Sequence, residues 1–360
     1  MNVRIGIVGL GKILDQYLAT FDRLPNARVT AVADLNAARA EEVAAQVGAR
    51  ALSVEALVAD PEVDVVLNLT IPAAHAEIAH AAIAAGKPVY SEKPLAATTA
   101  DGIGVLEAAR AAGIRVGGAP DTVLGAGIQT ARAAVDAGRI GTPTSATATF
   151  ACPGHESWHP NPDFYYQAGG GPLLDMGPYY LTTLVTLLGE VTSVVGASGA
   201  AHESRTIGSG PRAGESVPVD VATHVTGILT HASGAISTVV MSFDTAGTEA
   251  PKIEVHGTKG SLSVPDPNRF DGDVRLRELG SPEWAVLEPS AGDIPGGRGI
   301  GVVDMMVAEN EAGVRASGDL ALHVLEMMEG MLSSAETGQA VRISSRVERP
   351  APVPLTTTHP

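Results

Sequence analysis

The sequence predicts an α/β protein: an N-terminal doubly wound parallel sheet, then an α+β domain with a largely antiparallel open sheet. Three observations carry this. Short apolar runs alternate with Ala-rich helical stretches over about the first 118 residues. Alternating segments punctuated by Gly and Pro follow between about residues 191 and 287. The chain has 360 residues, more than one ordinary core needs. The expected division is residues 1–119, residues 120–345 for substrate and self-association, and an extended Pro/Thr-rich tail over 346–360.

Taken in order, Val3–Val8 is a buried strand, Gly9 and Gly11 form a turn, and a helix runs to about Arg23. Residues 29–33 form a second strand, and 36–47 a helix that Gly48 ends. Ser53 caps a short helix over Val54–Ala59, with Glu55 in its first turn. Residues 63–69, 88–91 and 114–117 are further strands, separated by helices over 73–85 and Thr99–Ala112. Strands alternating with helices imply parallel βαβ units, and their apolar character implies cover on both faces. In the second half, 173–188 reads as a helix, then 221–229, 235–243, 252–256 and 274–279 as strands. Helices over 302–311 and 320–337 close the domain.

Composition excludes several functions. Hydrophobic residues make up 45% and charged residues 18%, so the chain is globular. With 24 Lys and Arg against 40 Asp and Glu, the net charge of −16 disfavours nucleic acid and anionic membranes. No apolar run approaches about 20 residues, so no membrane span is expected, and the first segment does not read as a signal peptide. Cys152 is the single cysteine, which rules out an internal disulfide or a multi-Cys metal site and suits a reducing cytoplasm. His155 and His159 lie in a Pro-containing loop and are not read as ligands, so no metal is expected.

The first chemical signal is Gly9-Leu10-Gly11-Lys12-Ile13-Leu14, between a strand and a helix. Gly9 permits a tight turn, Gly11 lets a pyrophosphate approach the backbone, and the helix start favours an anion. Leu14 replaces the third glycine, so the dinucleotide fingerprint is partial. Asp34 follows about 20 residues on, at the end of the second strand. It either accepts adenosine ribose hydroxyls, which favours NAD over NADP, or serves as a turn or cap residue. Ser91-Glu92-Lys93-Pro94 ends the fourth strand, where ligands of such Rossmann sheets bind. Lys93 is either a surface ion-pair lysine or a site residue whose pKa burial and a positive nicotinamide lower.

The chain resembles the Gfo/Idh/MocA family of oxidoreductases, the glucose–fructose oxidoreductase and inositol dehydrogenase group. The matching pieces are IGIVGLGKI at 5–13, VADLN at 32–36, NLTIPAAHAEIAHAAIAAGKPVYSEKPLA at 68–96, GGGPLLDMGPYYLT at 169–182 and RASGDLALHVLEMMEGMLSSAETGQAVRI at 315–343. The resemblance implies an NAD(P)-dependent enzyme acting on CH–OH groups, with NAD preferred. It implies cofactor contacts from Gly9, Gly11, Lys12, Ile13, Asp34, Thr70, Ile71, Pro72, His75, Glu92 and Lys93. Lys93 and Asp175 match family site positions, and Asp121 lies where relatives often place a polar residue near substrate. The family usually has His four residues after the position of Asp175; here it is Tyr179.

Residues 169–172 form a glycine turn followed by a helix-starting proline. Asp175 and Tyr179, four apart, share one helix face, and Pro178 is expected in or near the first turn. Lys93, Asp175 and Tyr179 are the candidate proton relay for oxidising a secondary alcohol, with either Tyr179 or Lys93 as base. A core-packing Tyr179 is the alternative. The aromatic loop 152–168 offers Trp158, His159, Phe164 and Tyr165 to wall a sugar or polyol, or serves as a packing or subunit-contact loop. Three functions remain open: an NAD-dependent sugar, inositol or polyol dehydrogenase; an NAD-dependent glycoside hydrolase working by transient oxidation; and a non-catalytic sensor. An open sheet face implies a homodimer or homotetramer.

Overall fold

The computed structural model describes residues 2–357. Its first sheet has six parallel strands: β1 (Val3–Val8), β2 (Ala27–Ala33), β3 (Arg50–Ala51), β4 (Val65–Asn68), β5 (Val89–Ser91) and β6 (Val116–Gly118). Their order is β3-β2-β1-β4-β5-β6, which is the doubly wound dinucleotide-binding arrangement. The edge strand β3 is two residues long and exposed, too short to show as a sequence pattern.

Helices α1 (Leu14–Phe21), α2 (Ala37–Val47), α3 (Val54–Ala59), α4 (Pro72–Ala84) and α5 (Thr99–Ala112) connect these strands. Two apolar layers result. Ile5 and Ile7 belong to a core with Leu14 and Val43, while Val66 and Val89 belong to one with Leu57, Ile78 and Val105. The capping signals act as expected. Gly48 and Gly113 end α2 and α5 at φ of 68° and 66°, and Ser53 Oγ accepts the Ala56 N–H.

The second half contains α6 (Ala126–Asp136), β7 (Pro143–Ala151), α7 (Pro172–Leu188) and β8 (Val191–Gly199). A small ribbon, β9 (Ser204–Thr206) with β10 (Ser216–Pro218), precedes β11 (His224–His231) and β12 (Ile236–Ser242). Then come β13 (Ile253–Gly257), β14 (Gly260–Val264), β15 (Val274–Glu278), β16 (Ala285–Leu287), α8 (Ile300–Val307), α9 (Gly318–Thr337) and β17 (Val341–Arg342). The nine-stranded sheet runs β16-β15-β14-β13-β7-β12-β11-β8-β17. All its pairings are antiparallel except β7 with β12. On its uncovered face Val195 and Ile228 are cross-strand partners and half-exposed.

Helix α7 is apolar almost all round and is buried between the second sheet and α9. It begins at Pro172, the proline expected to start it, and Pro178 lies in its second turn, next to the first. The predicted helix over 302–311 is shorter, ending at Val307. Helices α8 and α9 return to the edge strand β6, so the C-terminal part of the chain packs on both sheets. Among the described residues after β17 there is no further helix or strand; Val353 N–H bonds to Gln129 Oε1 on α6. Residues 358–360 of the expected tail lie outside the described residues. Among the described residues no helix is long and apolar enough to cross a membrane.

Candidate active site

The glycine loop is shaped by what surrounds it. Gly9 has φ of 90°, and a Cβ there would lie 2.7 Å from Leu69 C and Thr70 N. Only glycine lets the loop cross that close to the turn after β4. At Gly11 a Cβ would meet nothing within 4 Å, so the backbone is open to a ligand. Helix α1 follows without a side-chain cap, leaving its amino end available to an anion. This cradle fits a dinucleotide pyrophosphate.

Asp34 holds the loop in place. Its Oδ2 accepts the Leu10 N–H and its Oδ1 the Asn36 N–H, both at 2.8 Å. Asn36, not Asp34, caps α2. Each Asp34 oxygen keeps a second lone pair for a ribose hydroxyl. Beside it, Arg39 donates from Nε to Leu10 O at 3.2 Å and pairs with Glu42.

Across the sheet, the carboxyl end of β5 delivers Glu92 and Lys93. Tyr17 OH donates to Glu92 Oε1 at 2.8 Å, and Glu92 Oε2 accepts the Lys93 N–H at 2.9 Å. Lys93 Nζ reaches to α7, 2.7 Å from Asp175 O and 3.0 Å from Asp175 Oδ1. This ion pair is largely buried, with side chains 17% and 20% exposed. Burial alone would lower the Lys93 pKa, as the sequence reading expects. The negative charge of Asp175 outweighs it, helped by Glu92 and by the hydrogen bond to Asp175, and the pKa is raised. That corrects the expectation: the ammonium is the resting form. Burial would likewise raise Asp175, but Lys93 and His155 hold it well below the carboxylate range.

Tyr179 lies one turn beyond Asp175. Lys93 Nζ sits 5.4 Å from its ring centroid and the Arg298 guanidinium 5.2 Å. Burial still raises its pKa, against the lowering effect of both cations, so the phenol stays protonated. Arg298 is buried and bonded to Gln16 and Asn268, while its Nη1 has no partner among the described residues.

These groups face a cavity of about 430 Å³. Ile13, Thr70, Ile71, Pro72, Glu92, Lys93, Asp175 and Tyr179 line it, together with Phe164 and Tyr165 of the aromatic loop. Among the described residues no group of three or more His, Cys, Asp or Glu is placed to hold a metal.

His75 and Asp121, both expected in the site, do not line the cavity. His75 is fully buried, with Nδ1 2.7 Å from Pro94 O and Nε2 3.0 Å from Thr70 O, so it ties two site loops together. Asp121 is fully buried too, and its Oδ2 accepts the N–H groups of Gly299 and Gly301 at the start of α8. Burial pushes its pKa up to about 6. Trp158 and His159 also stand off the cavity wall. Trp158 is 57% exposed, and His159 Nε2 lies 3.0 Å from Lys12 Nζ, joining the aromatic loop to the glycine loop.

Sequence reasoning missed His155, whose Nε2 lies 3.2 Å from Asp175 Oδ2, and it missed Arg298. His155 sits in the loop already marked by its aromatics, but spacing does not separate it from His159. Arg298 sits in the glycine-rich stretch 296–301, which carries no motif.

Comparisons with known proteins agree with this architecture. A model described as an oxidoreductase family with an NAD-binding Rossmann fold matches residues 3–118. A GFO/IDH/MocA C-terminal domain model matches residues 128–263. The 1,5-anhydro-D-fructose reductase of Ensifer adhaerens is 32% identical over 294 residues, 80% of this chain and 84% of that one. Inositol 2-dehydrogenase 3 of Saccharopolyspora erythraea is 39% identical over 154 residues, 41% of this chain and 44% of its own. The crystal structure of an NAD binding oxidoreductase from Klebsiella pneumoniae has a TM-score of 0.83 at 25% identity, covering 96% of this chain and 100% of that one. The chain therefore belongs to the Gfo/Idh/MocA family of oxidoreductases, with an NAD-binding Rossmann fold.

Proposed function

We propose that this protein moves a hydride between NAD and a secondary alcohol carbon of a sugar, inositol or related polyol. The observation that carries the reading is the Lys93–Asp175 pair, set at the carboxyl end of β5 on the wall of a cavity that Ile13 of the glycine loop also lines. The nicotinamide, when bound, supplies or takes the hydride. An ammonium has three donors, and Lys93 directs two to Asp175, leaving one for a substrate oxygen. In reduction Lys93 gives that proton to the carbonyl oxygen; in oxidation the ammonium first releases a proton to solvent, and the amine then takes the hydroxyl proton. Phe164 and Tyr165 offer ring faces to a sugar's apolar side. The similarity to a 1,5-anhydro-D-fructose reductase and to an inositol 2-dehydrogenase supports the substrate class. A panel of polyols with NAD⁺, and of the matching ketones with NADH, followed by nicotinamide absorbance, tests it. Turnover of a polyol–ketone pair is expected, and no turnover of any would overturn it.

Tyr179 orients substrate in this reading, because its phenol keeps its proton. Tyr179→Phe should lose roughly tenfold in kcat/KM, about 1.4 kcal/mol, mainly through KM. A loss in kcat as large as that of a Lys93 variant would make Tyr179 the acid/base instead.

Cofactor choice rests on Asp34, whose charge repels a 2′-phosphate. The unmodified enzyme should prefer NAD⁺ to NADP⁺. Asp34→Ala should narrow the ratio of kcat/KM values by roughly tenfold, the ratio that about 1.4 kcal/mol supports. Arg39 then remains beside the ribose end to meet the phosphate. Equal use of NADP⁺ by the unmodified enzyme would contradict this.

A further inference from the structure

We infer that His155 is a positioning residue that fixes the carboxylate of Asp175, and through it Lys93, in the reactive arrangement. The inference rests on the oxidoreductase reading above for its kinetic consequence, but its structural premise stands apart from turnover.

The hydrogen bonds have one consistent direction. Trp158 Nε1 lies 3.3 Å from His155 Nδ1. An indole N–H only donates, so Nδ1 must present a lone pair. A neutral imidazole then carries its proton on Nε2, which donates to Asp175 Oδ2 at 3.2 Å. The other carboxylate oxygen, Oδ1, accepts from Lys93 Nζ at 3.0 Å. Both Asp175 oxygens are therefore held, one by each segment that meets α7.

The imidazole is itself confined. Its ring centroid is 4.6 Å from Tyr165 and from Phe243, and 5.2 Å from Trp158. Phe243 is fully buried in a small core with Tyr166, Ile207 and Val217, so this wall is fixed. His155 is largely buried and lies behind Asp175, outside the residues that line the cavity, so its contact toward the site is the bond to that carboxylate. Without it, Oδ2 loses its donor and the carboxylate is free to turn about its χ2 bond. Lys93 Nζ would then lose a fixed acceptor, and its remaining proton would no longer be aimed.

The test uses the full chain with His155→Ala, His155→Gln and Trp158→Phe. Histidine Nε2 and the glutamine amide nitrogen both donate at similar reach, so His155→Gln preserves the bond that His155→Ala removes. His155→Ala should lower kcat by about 10- to 100-fold with KM little changed, the scale of misplacing a reacting group by about 1 Å. His155→Gln should recover most of that loss, and Trp158→Phe should fall between. NAD affinity by calorimetry should be unchanged in all three. A merely structural loop residue would not show rescue by glutamine. Nitrogen-15 histidine spectra of the unmodified protein test the premise without any substrate. An Nε2-protonated, Nδ1-unprotonated His155 is expected. The opposite tautomer, a normal kcat in His155→Ala, or no recovery in His155→Gln would each overturn the inference. Failure of the unmodified enzyme to turn over any sugar or polyol would instead overturn the proposed function, leaving the tautomer result to decide the structural premise.

Discussion

Lys93→Met should lower kcat by about 10²- to 10⁴-fold, the usual span of a general acid–base contribution. Methionine keeps a similar length and removes both the charge and the N–H donors. Substrate would still meet Phe164, Tyr165 and Tyr179, so KM should change less than kcat. NAD affinity, measured by calorimetry, should change little, because the glycine loop and Asp34 lie at the other end of the cofactor site. The variant should fold, with some loss of stability, since His155 still faces Asp175 and Glu92 keeps its contact with Tyr17. A Lys93→Met enzyme with near-normal kcat would remove the centre of the mechanism.

Asp175→Asn should lower kcat by about 100-fold and bring a new alkaline limb into the pH–rate profile for reduction. The pair is largely buried, and removing one member leaves the other charge uncompensated. In the unmodified site the carboxylate overcomes the effect of burial and raises the Lys93 pKa. With asparagine there, burial dominates and the pKa falls. Reduction needs Lys93 protonated. The unmodified enzyme should therefore show no Lys93-dependent loss below about pH 10, the ordinary lysine range. The variant should lose reductive rate as pH rises through the lowered value. The same sign applies to stability. A lysine raised in the folded state stabilises it below the unfolded pKa, and that contribution is lost as pH rises through the folded one. At neutral pH the pair thus contributes fully in the unmodified protein, and Asp175→Asn should lower Tm. An unshifted profile would mean that Asp175 does not control the Lys93 proton.

The first sheet was legible because each signal is local. VRIGIV is an apolar, β-branched run stopped by Gly9, and Gly48 and Gly113 mark helix ends by adopting positive φ. Strand β7 had no such signal. PTSATATFA is built of Thr, Ala and Ser, and becomes the middle of the second sheet only because β12 and β13 pair on its two sides. Its parallel pairing with β12 is a matter of topology, not of side chains.

The site divides in the same way. The positions of Lys93, Asp175 and Tyr179 follow from a strand end and a helix face, and the fold brings all three to one cavity. What their charges do depends on partners far away in sequence. Lys93 and Asp175 are 82 residues apart, so the sign of the lysine's pKa shift was not readable from its neighbours. His75 and Asp121 sit on the expected loops, but their side chains turn inward to satisfy buried backbone groups. Loop residues are hardest to assign for this reason: direction depends on packing, and periodicity does not report it. His155 and Arg298 are both of this kind.

The most direct test of the central claim is the stoichiometry of reduced cofactor to substrate consumed. The purified enzyme is incubated with excess NAD⁺ and a polyol that the panel identifies, and both NADH and the oxidised product are quantified. Hydride transfer through the Lys93–Asp175 site predicts equal amounts of NADH and ketone, with the yield of both cut sharply in Lys93→Met at equal time. Substrate consumed without accumulation of NADH would contradict the account and point instead to transient oxidation followed by bond cleavage and return of the hydride.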